Sequence, residues 1–209
     1  MKLKNLLLPL GILAVIAIAF FAYDAATAPL PEGFPPPTPD GKIEVKHYPA
    51  YRSATVRYSG ELSMAANRAF DPLYRHISSN NISMTAPVET RYPVSTLEAN
   101  QMSTPDEQGE ALVSFLYRST DIYPDEISQN IQVEDIPPMT VLSLGLKGSY
   151  DYSSYQKSIE RLREWLVQHP EWTIVGSPRR FFYDAPYVPE PAKRSEIQIP
   201  IRQVERGGY

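Results

Sequence analysis

The stretch Ile82-Ser83-Met84-Thr85-Ala86-Pro87-Val88 is the most informative part of the chain. Its apolar residues open a predicted strand over 82–92. Pro87 lacks an N–H donor and is poorly tolerated inside a central strand, so the pattern predicts a kink or a sheet edge there. Met84 is an adaptable apolar side chain that suits either a protein core or the face of a flat ligand.

A second stretch, Tyr183-Asp184-Ala185-Pro186-Tyr187-Val188-Pro189, follows about a hundred residues later. Its two prolines fix the backbone φ angle and predict a rigid loop. Lys193 and Arg194 lie just beyond it and offer cations to carboxylates. Glu196 is close enough in sequence to neutralise one of them, which would make this charge cluster purely structural.

Together the two stretches resemble the signature segments of the SOUL haem-binding protein family. That family usually reads K-I-x-M-T-x-P-V at the first segment and Y-D-x-P, then R-R-N-E-[IV], at the second. Here Asn81 replaces the lysine, and Lys193-Arg194-Ser195 replaces Arg-Arg-Asn. The resemblance covers 43–201. It implies two helices against a curved eight-stranded sheet and a tetrapyrrole site near the first helix and the second loop.

Hydrophobic periodicity independently predicts an α+β domain. Residues spaced by three and four over 62–77 form one apolar helical stripe, which Ser59 or Ser63 would cap, and a second helix over 155–169 ends before Pro170. Alternating or apolar runs predict strands, several with one solvated face, at 42–48, 52–58, 82–92, 111–118, 131–136, 140–147, 173–183 and 196–204. Each half reads strand, strand, helix, strand, strand. The chain is therefore interpreted as a pseudo-twofold duplicated domain, with two helices packed on a mostly antiparallel eight-stranded sheet.

Composition narrows the function classes. The 209 residues carry 20 Lys and Arg against 24 Asp and Glu, for a formal net charge of −4, without a basic stripe for nucleic acid. Cysteine is absent, which excludes disulfides, thiolate-ligated haem, iron–sulfur clusters and a cysteine nucleophile. No glycine-rich phosphate loop, Glu-x-x-His motif or Gly-x-Ser-x-Gly elbow is present. An enzyme is therefore the less favoured interpretation.

The N-terminus predicts a location. Lys2 and Lys4 precede an apolar run over 6–22, a length between that of a signal peptide and that of a spanning helix. Residues 1–28 are predicted to be a membrane anchor or a signal segment, with the rest on the extracytoplasmic, periplasmic side. Residues 29–40 are proline-rich and predicted to be an extended linker that holds the 41–209 domain about 30–40 Å away. If the segment is cleaved, the domain is periplasmic or secreted.

Haem binding needs an apolar face, cations for the propionates and, optionally, an axial ligand. Arg68 and His76 flank the stripe of the first helix, eight residues apart. The resemblance implies His47, on the first strand, as the candidate iron ligand. The complete set of predicted cofactor-binding residues is His47, Arg68, His76, Met84, Tyr187, Lys193 and Arg194. The alternative for each is structural: an exposed strand histidine, or polar groups at the edge of an amphipathic helix.

These observations predict a membrane-tethered, extracytoplasmic protein that binds haem or a related tetrapyrrole reversibly, as a carrier or buffer. Its partners would be the tetrapyrrole and the membrane, and no nucleic acid. The alternative is a generic small-molecule effector-binding or interaction module of the same fold, without haem specificity.

Overall fold

The computed structural model describes residues 28–97, 107–185 and 187–204. The predicted N-terminal anchor or signal segment falls outside the described residues, apart from Ala28. Two helices are present in this part of the chain, α1 (Ala65–Ser79) and α2 (Tyr152–Gln168). The strands are β1 (Ile43–Tyr48), β2 (Tyr51–Glu61), β3 (Val88–Arg91), β4 (Gln108–Leu116), β5 (Gln132–Ile136), β6 (Met139–Lys147), β7 (Trp172–Ile174), β8 (Arg179–Phe182) and β9 (Arg194–Gln203).

All nine described strands join one antiparallel sheet in the order β1-β6-β9-β8-β3-β4-β2-β5, with the three-residue β7 paired to β9. The eight strands of the main path confirm the predicted α+β architecture and its internal repeat. In the first half, β2, β4 and β3 form one block, and in the second half β6, β9 and β8 form the matching block. The first strand of each half crosses over: β1 pairs with β6, and β5 pairs with β2. The pseudo-twofold axis therefore passes between β3 and β8.

Both helices cover one face of the sheet. The apolar side chains that alternate along the strands meet the buried sides of α1 and α2 in one large core, which includes Leu73, Phe115, Leu142 and Leu162. The start of α1 differs from the prediction: a 3-10 turn over Leu62–Met64 leads into it, and no side chain caps it. Asp151 does cap α2, by accepting a hydrogen bond from the backbone N–H of Ser154 at 2.7 Å.

The opposite face of the sheet was predicted to be solvated in part, yet its polar residues are buried. Glu196, on β9, is at the centre of a polar network. Its carboxylate forms a 2.8 Å ion pair with Lys46 and accepts hydrogen bonds from Ser143 at 3.1 Å and Tyr48 at 3.3 Å. Burial in this cluster raises the pKa of the Tyr48 phenol, and the nearby Glu196 carboxylate raises it further. Glu196 therefore forms its ion pair with Lys46 on β1 and not with its sequence neighbours Lys193 or Arg194.

Residues 29–40, hereafter the arm, help to bury that face. The arm was predicted to be an extended spacer, but it contains a turn in which the backbone N–H of Phe34 donates to the carbonyl of Pro31 at 3.2 Å, and it packs on the sheet. The ring of Phe34 lies 4.9 Å from that of Tyr48 and 5.3 Å from that of Tyr51. The backbone N–H of Thr38 donates to Glu196, and the carbonyl of Pro36 accepts from Lys46 at 2.8 Å. The prolines restrict the backbone φ angles of the arm, and these contacts hold it in place.

Two predicted strands are shorter than expected. The strand over 82–92 begins only at Val88, because residues 82–87 run as an irregular segment that contains a cis Ala86–Pro87 peptide bond. The strand over 173–183 is divided into β7 and β8. Among the described residues no helix is both long and apolar enough to cross a membrane.

Candidate functional site

The two signature segments meet at one end of the central strand pair. Val88, the first residue of β3, lies opposite Phe182, the last residue of β8. Because the strands are antiparallel, the segment that precedes β3 and the loop that follows β8 leave the sheet side by side. The pseudo-twofold arrangement thus brings together two motifs that are far apart in sequence.

A cavity of 530 Å³ lies between these segments and the first turns of α1, and we call it the motif cavity. Its size is typical of small-molecule sites. The wall from α1 is formed by Ala66, Asn67 and Phe70, with Ser63 just before the helix. The remaining lining residues are Ala28, Met84, Thr85, Ala86, Val88, Ser149, Tyr150, Phe182, Tyr183, Asp184, Ala185, Tyr187, Glu190 and Lys193.

The loop after β8 is closed by a clasp between Asp184 and Arg194. The guanidinium Nη2 of Arg194 lies 2.7 Å from the Asp184 carboxylate, and the backbone N–H of Arg194 donates to the same carboxylate at 2.5 Å. Tyr150 completes the clasp, since its hydroxyl donates to the Arg194 carbonyl at 2.8 Å. Burial raises the pKa of Tyr150 to about 12, so the phenol stays protonated at neutral pH.

The segment before β3 is also held by hydrogen bonds. The hydroxyl of Thr85 donates to the carbonyl of Leu116 at 2.5 Å, and the backbone N–H of Ala86 donates to Pro29 at 3.0 Å. Met84 directly precedes these two residues and lines the cavity. The signature residues around Met84 therefore fix the wall of the cavity through backbone contacts, which leaves the thioether available to a ligand.

The predicted site residues divide into two groups. Met84, Tyr187 and Lys193 line the motif cavity. Arg194 is beside it, but its side chain is held by Asp184. The role of each residue in ligand binding stays a prediction, although the structure places these four together.

The other three predicted residues lie away from the cavity. His47 is exposed on the edge strand β1, where its Nδ1 is 2.9 Å from the hydroxyl of Thr140. Arg68 is exposed on α1 and does not line the cavity. His76 is buried, and its Nε2 lies 2.8 Å from the hydroxyl of Tyr117. Arg68 and His76 therefore do not line the motif cavity, and their role in ligand binding stays a prediction.

Burial lowers the pKa of His76, which keeps its imidazole neutral at physiological pH. None of the described residues lining the motif cavity is a histidine. In the described residues, no group of three or more His, Cys, Asp or Glu side chains is placed to hold a metal ion. The cavity therefore offers apolar and aromatic surface, hydroxyl and amide groups, one thioether, one ammonium group and the carboxylates of Asp184 and Glu190.

The sequence did not reveal several residues of this site. Tyr150 comes from the turn before α2, and no local pattern distinguishes it. Ala66 and Phe70 belong to the predicted stripe of the first helix, yet both line the cavity, and the Phe70 ring also contacts the core residue Phe115 at 5.1 Å. The sequence did indicate the residues of the clasp, since Asp184 and Arg194 belong to the motif that carries the family resemblance.

A second cavity, of 670 Å³, lies on the arm side of the sheet. Its lining includes Glu89, Arg91 and Arg179, and Glu89 and Arg179 are linked by a 3.3 Å ion pair. These buried charges neutralise one another. Both signature segments border the motif cavity, whereas none of their residues lines the second cavity, so the motif cavity is the candidate ligand site.

Comparison with known proteins agrees with this architecture. The family description SOUL heme-binding protein matches residues 37–200. A comparison with curated protein sequences finds no significant match. Among solved structures, the C-terminal domain of EcmrR is similar, with a TM-score of 0.62 and 17% sequence identity over 78% of this chain and 98% of that domain.

An uncharacterised conserved protein from Listeria innocua is also similar, with a TM-score of 0.58 and 11% identity over 79% of this chain and 94% of that one. A hydrolase encoded by lin2189 from the same organism gives a TM-score of 0.56 at 10% identity, over 79% of this chain and 94% of that one. At these identities the likenesses show a shared fold alone.

Proposed function

We propose, from the premise that this chain belongs to the SOUL haem-binding protein family, that it binds haem or a related tetrapyrrole reversibly in the motif cavity. The observation that carries the proposal is the meeting of both family signature segments around one apolar cavity of 530 Å³. The protein would act as a carrier or buffer of the ligand.

The lining residues suit the macrocycle. Phe70, Phe182 and Tyr187 offer aromatic rings, which stack on flat ligands, and Ala66 leaves room beside α1. Lys193 supplies an ammonium group for a propionate. Its Nζ lies 5.2 Å from the centre of the Tyr150 ring, a position that holds the cation at the cavity.

The lining residues suit the iron less well than the porphyrin. Haem iron usually takes a histidine, thiolate, methionine or tyrosine ligand. With no histidine among the described lining residues, Met84 would supply a thioether donor to the iron, and Tyr150, Tyr183 and Tyr187 would supply phenol oxygens. Binding would therefore rest mainly on the porphyrin face and the propionates, which favours reversible exchange over permanent retention.

The second part of the proposal concerns location. The apolar run over 6–22, behind Lys2 and Lys4, supports a membrane tether with the domain on the extracytoplasmic side. The alternative, a cleaved signal, would release the same domain into the periplasm. Mass spectrometry of the chain recovered from membrane and soluble fractions distinguishes these two cases.

Titration of the full chain in mild detergent with ferric haem tests the binding proposal, against a detergent blank. A saturable change in the Soret band with one haem per chain is expected. If micromolar haem produces only the absorbance of the blank, the binding proposal is wrong.

The second candidate function is a small-molecule effector-binding module without haem specificity. The absence of a histidine from the described lining residues favours it. Titrating the same full chain with iron-free protoporphyrin and with an unrelated flat apolar dye separates the two functions. Equal affinity for the dye and the porphyrins would favour the second candidate.

A further inference from the structure

The arm fixes the point at which the N-terminal segment reaches the domain. Ala28, the first described residue, lines the motif cavity. The next residue, Pro29, is held by the backbone N–H of Ala86 at 3.0 Å, and the carbonyl of Leu30 accepts from Arg118 at 2.8 Å. The chain therefore enters the folded domain at the cavity itself.

The distance from this point to the apolar run is short. The run ends at Ala22, and the six Cα–Cα steps from Ala22 to Ala28 span at most about 20–22 Å when fully extended. The arm does not lengthen this connection between the apolar run and the domain, because it is packed along the sheet. A membrane that holds the apolar run would thus lie close to the motif cavity, and not 30–40 Å away as a free linker would place it.

The surface around the cavity has the composition of a membrane interface. Tyr187 is 74% exposed and Tyr74 is 51% exposed, although both are large aromatic side chains. Tyr74 stacks on Phe70 at 6.0 Å, and Phe70 and Tyr187 both line the cavity. Aromatic rings that are left in water beside an apolar cavity are typical of surfaces that contact lipid headgroups.

We infer that the motif cavity opens onto the membrane surface to which the N-terminal run attaches, and that its ligand is an amphiphile that enters from the bilayer. The inference rests on the proposed function for the identity of the cavity as the binding site. It adds the route and the ligand class: an apolar molecule with a charged edge, which partitions into lipid. Phe70, Tyr74 and Tyr187 form the contact with the bilayer, and Lys193 meets the charged edge.

A site-directed fluorescence experiment tests the orientation. The chain lacks cysteine, so a single introduced cysteine can carry an environment-sensitive dye. The full chain would be labelled at Y74C or at Y187C and placed in phospholipid nanodiscs with and without a lipid-borne quencher. V167C is the matched control, because Val167 is 83% exposed at the far end of α2.

Quenching of about twofold or more is expected at positions 74 and 187, where the rings would enter the headgroup region, and none at 167. Equal quenching at all three positions would overturn the inference, as would a water-like signal at 74 and 187. A chain that matures by losing residues 1–22 would overturn it as well.

Haem titration of the unlabelled wild-type chain in the same nanodiscs, beside the quenching measurements, separates this inference from the proposed function. Haem binding without quenching at 74 and 187 leaves the function intact and rejects the orientation. Quenching without haem binding supports the orientation and rejects the function. A last alternative is that residues 1–27 fill the cavity themselves. The dye at position 187 would then be equally shielded in detergent and in nanodiscs, and the lipid quencher would not reduce its fluorescence. That result would also reject the inference.

Discussion

Val88 and Phe182 lie opposite each other across the pseudo-twofold axis, and this pairing joins the two sequence motifs into one site. Each residue marks the end of a short central strand, and each lines the motif cavity. The motif cavity is therefore built where the two halves of the duplication meet, and neither half contains it alone.

Filling the cavity should abolish binding without unfolding the domain. In A66W, the indole would project from α1 into the space between Met84 and Phe182. Haem affinity should fall at least tenfold, which corresponds to about 1.4 kcal/mol. Soret titration of the full chain measures the change, with V167W as the control on an exposed helical surface. Unchanged affinity in A66W would place the ligand elsewhere.

Removing the cation at the cavity should weaken binding modestly. K193M keeps the length of the side chain and removes the charge that would meet a propionate. Since Lys193 is only half-buried, a loss of about 0.2–1 kcal/mol is expected, or roughly 1.4- to 5-fold in affinity. K157M, on the exposed side of α2, should have no effect. The difference should shrink as salt is raised, and a salt-independent loss would argue against charge pairing.

The histidines should not ligate haem iron. His47 is exposed on β1 and His76 is bonded to Tyr117, so H47A and H76Q should each reproduce the wild-type Soret spectrum and affinity. Loss of the spectral change in H47A would restore this residue as a ligand and would require a site outside the motif cavity.

His76 should instead affect stability at acid pH. Its pKa is lowered by burial, so the unfolded chain binds a proton more readily than the folded one. The free energy of unfolding should therefore be highest above the unfolded pKa of about 6.5 and should fall as pH drops from there toward the folded pKa. H76Q should flatten this part of the profile in denaturant titrations, whereas H47Q should preserve it.

The buried ion pair between Lys46 and Glu196 should contribute strongly to stability. E196Q leaves the Lys46 charge without its partner, and the expected loss in unfolding free energy is about 3–5 kcal/mol. E110Q is the control, because it breaks an exposed pair with Arg57 and should cost only about 0.2–1 kcal/mol. Equal losses in urea titrations of the two variants would show that burial does not govern the effect.

The arm should detach when its close approach to β6 is blocked. A Cβ at Gly145 would overlap the carbonyl oxygens of Thr38 and Pro39. G145A should therefore increase amide exchange at Thr38 and Gly41, since their N–H groups bond Glu196 and Gly145. G176A, whose Cβ would meet only the Pro200 side chain at 3.2 Å, is the control. Full protection in G145A would mean that β6 adjusts instead.

Much of the fold could be predicted from the sequence because both periodicities are clear. The three- and four-residue spacing located α1, and the alternation along 140–147 located β6. The division of 173–183 was missed because β7 and β8 pair with different segments of β9, Trp172 opposite Gln203 and Phe182 opposite Ser195, which is a tertiary property. The arm was predicted to be a free linker because prolines indicate an extended chain but do not show whether it packs on a surface.

The candidate site was only partly predictable for a similar reason. Met84, Tyr187 and Lys193 belong to the motifs and do line the cavity. The contact of His76 was not predicted, because helical spacing gives the side of a helix but not what that side meets, and here the His76 ring meets Tyr117. The polar residues at 143, 196 and 198 alternate as a solvated face would, yet they are buried in a hydrogen-bonded network that no local pattern distinguishes.

The exchange of first strands between the two halves has an evolutionary consequence. β1 completes the block formed by the second half, and β5 completes that of the first. In a single half the second strand would lose its outer neighbour, but two copies of that half would restore it by swapping their first strands, which become the edges of the joint sheet. The present chain therefore has the design of a strand-swapped homodimer whose subunits have become covalently fused. Once the copies were fused, each could acquire its own residues, so that one signature segment could keep Met84 and the other the clasp of Asp184 with Arg194.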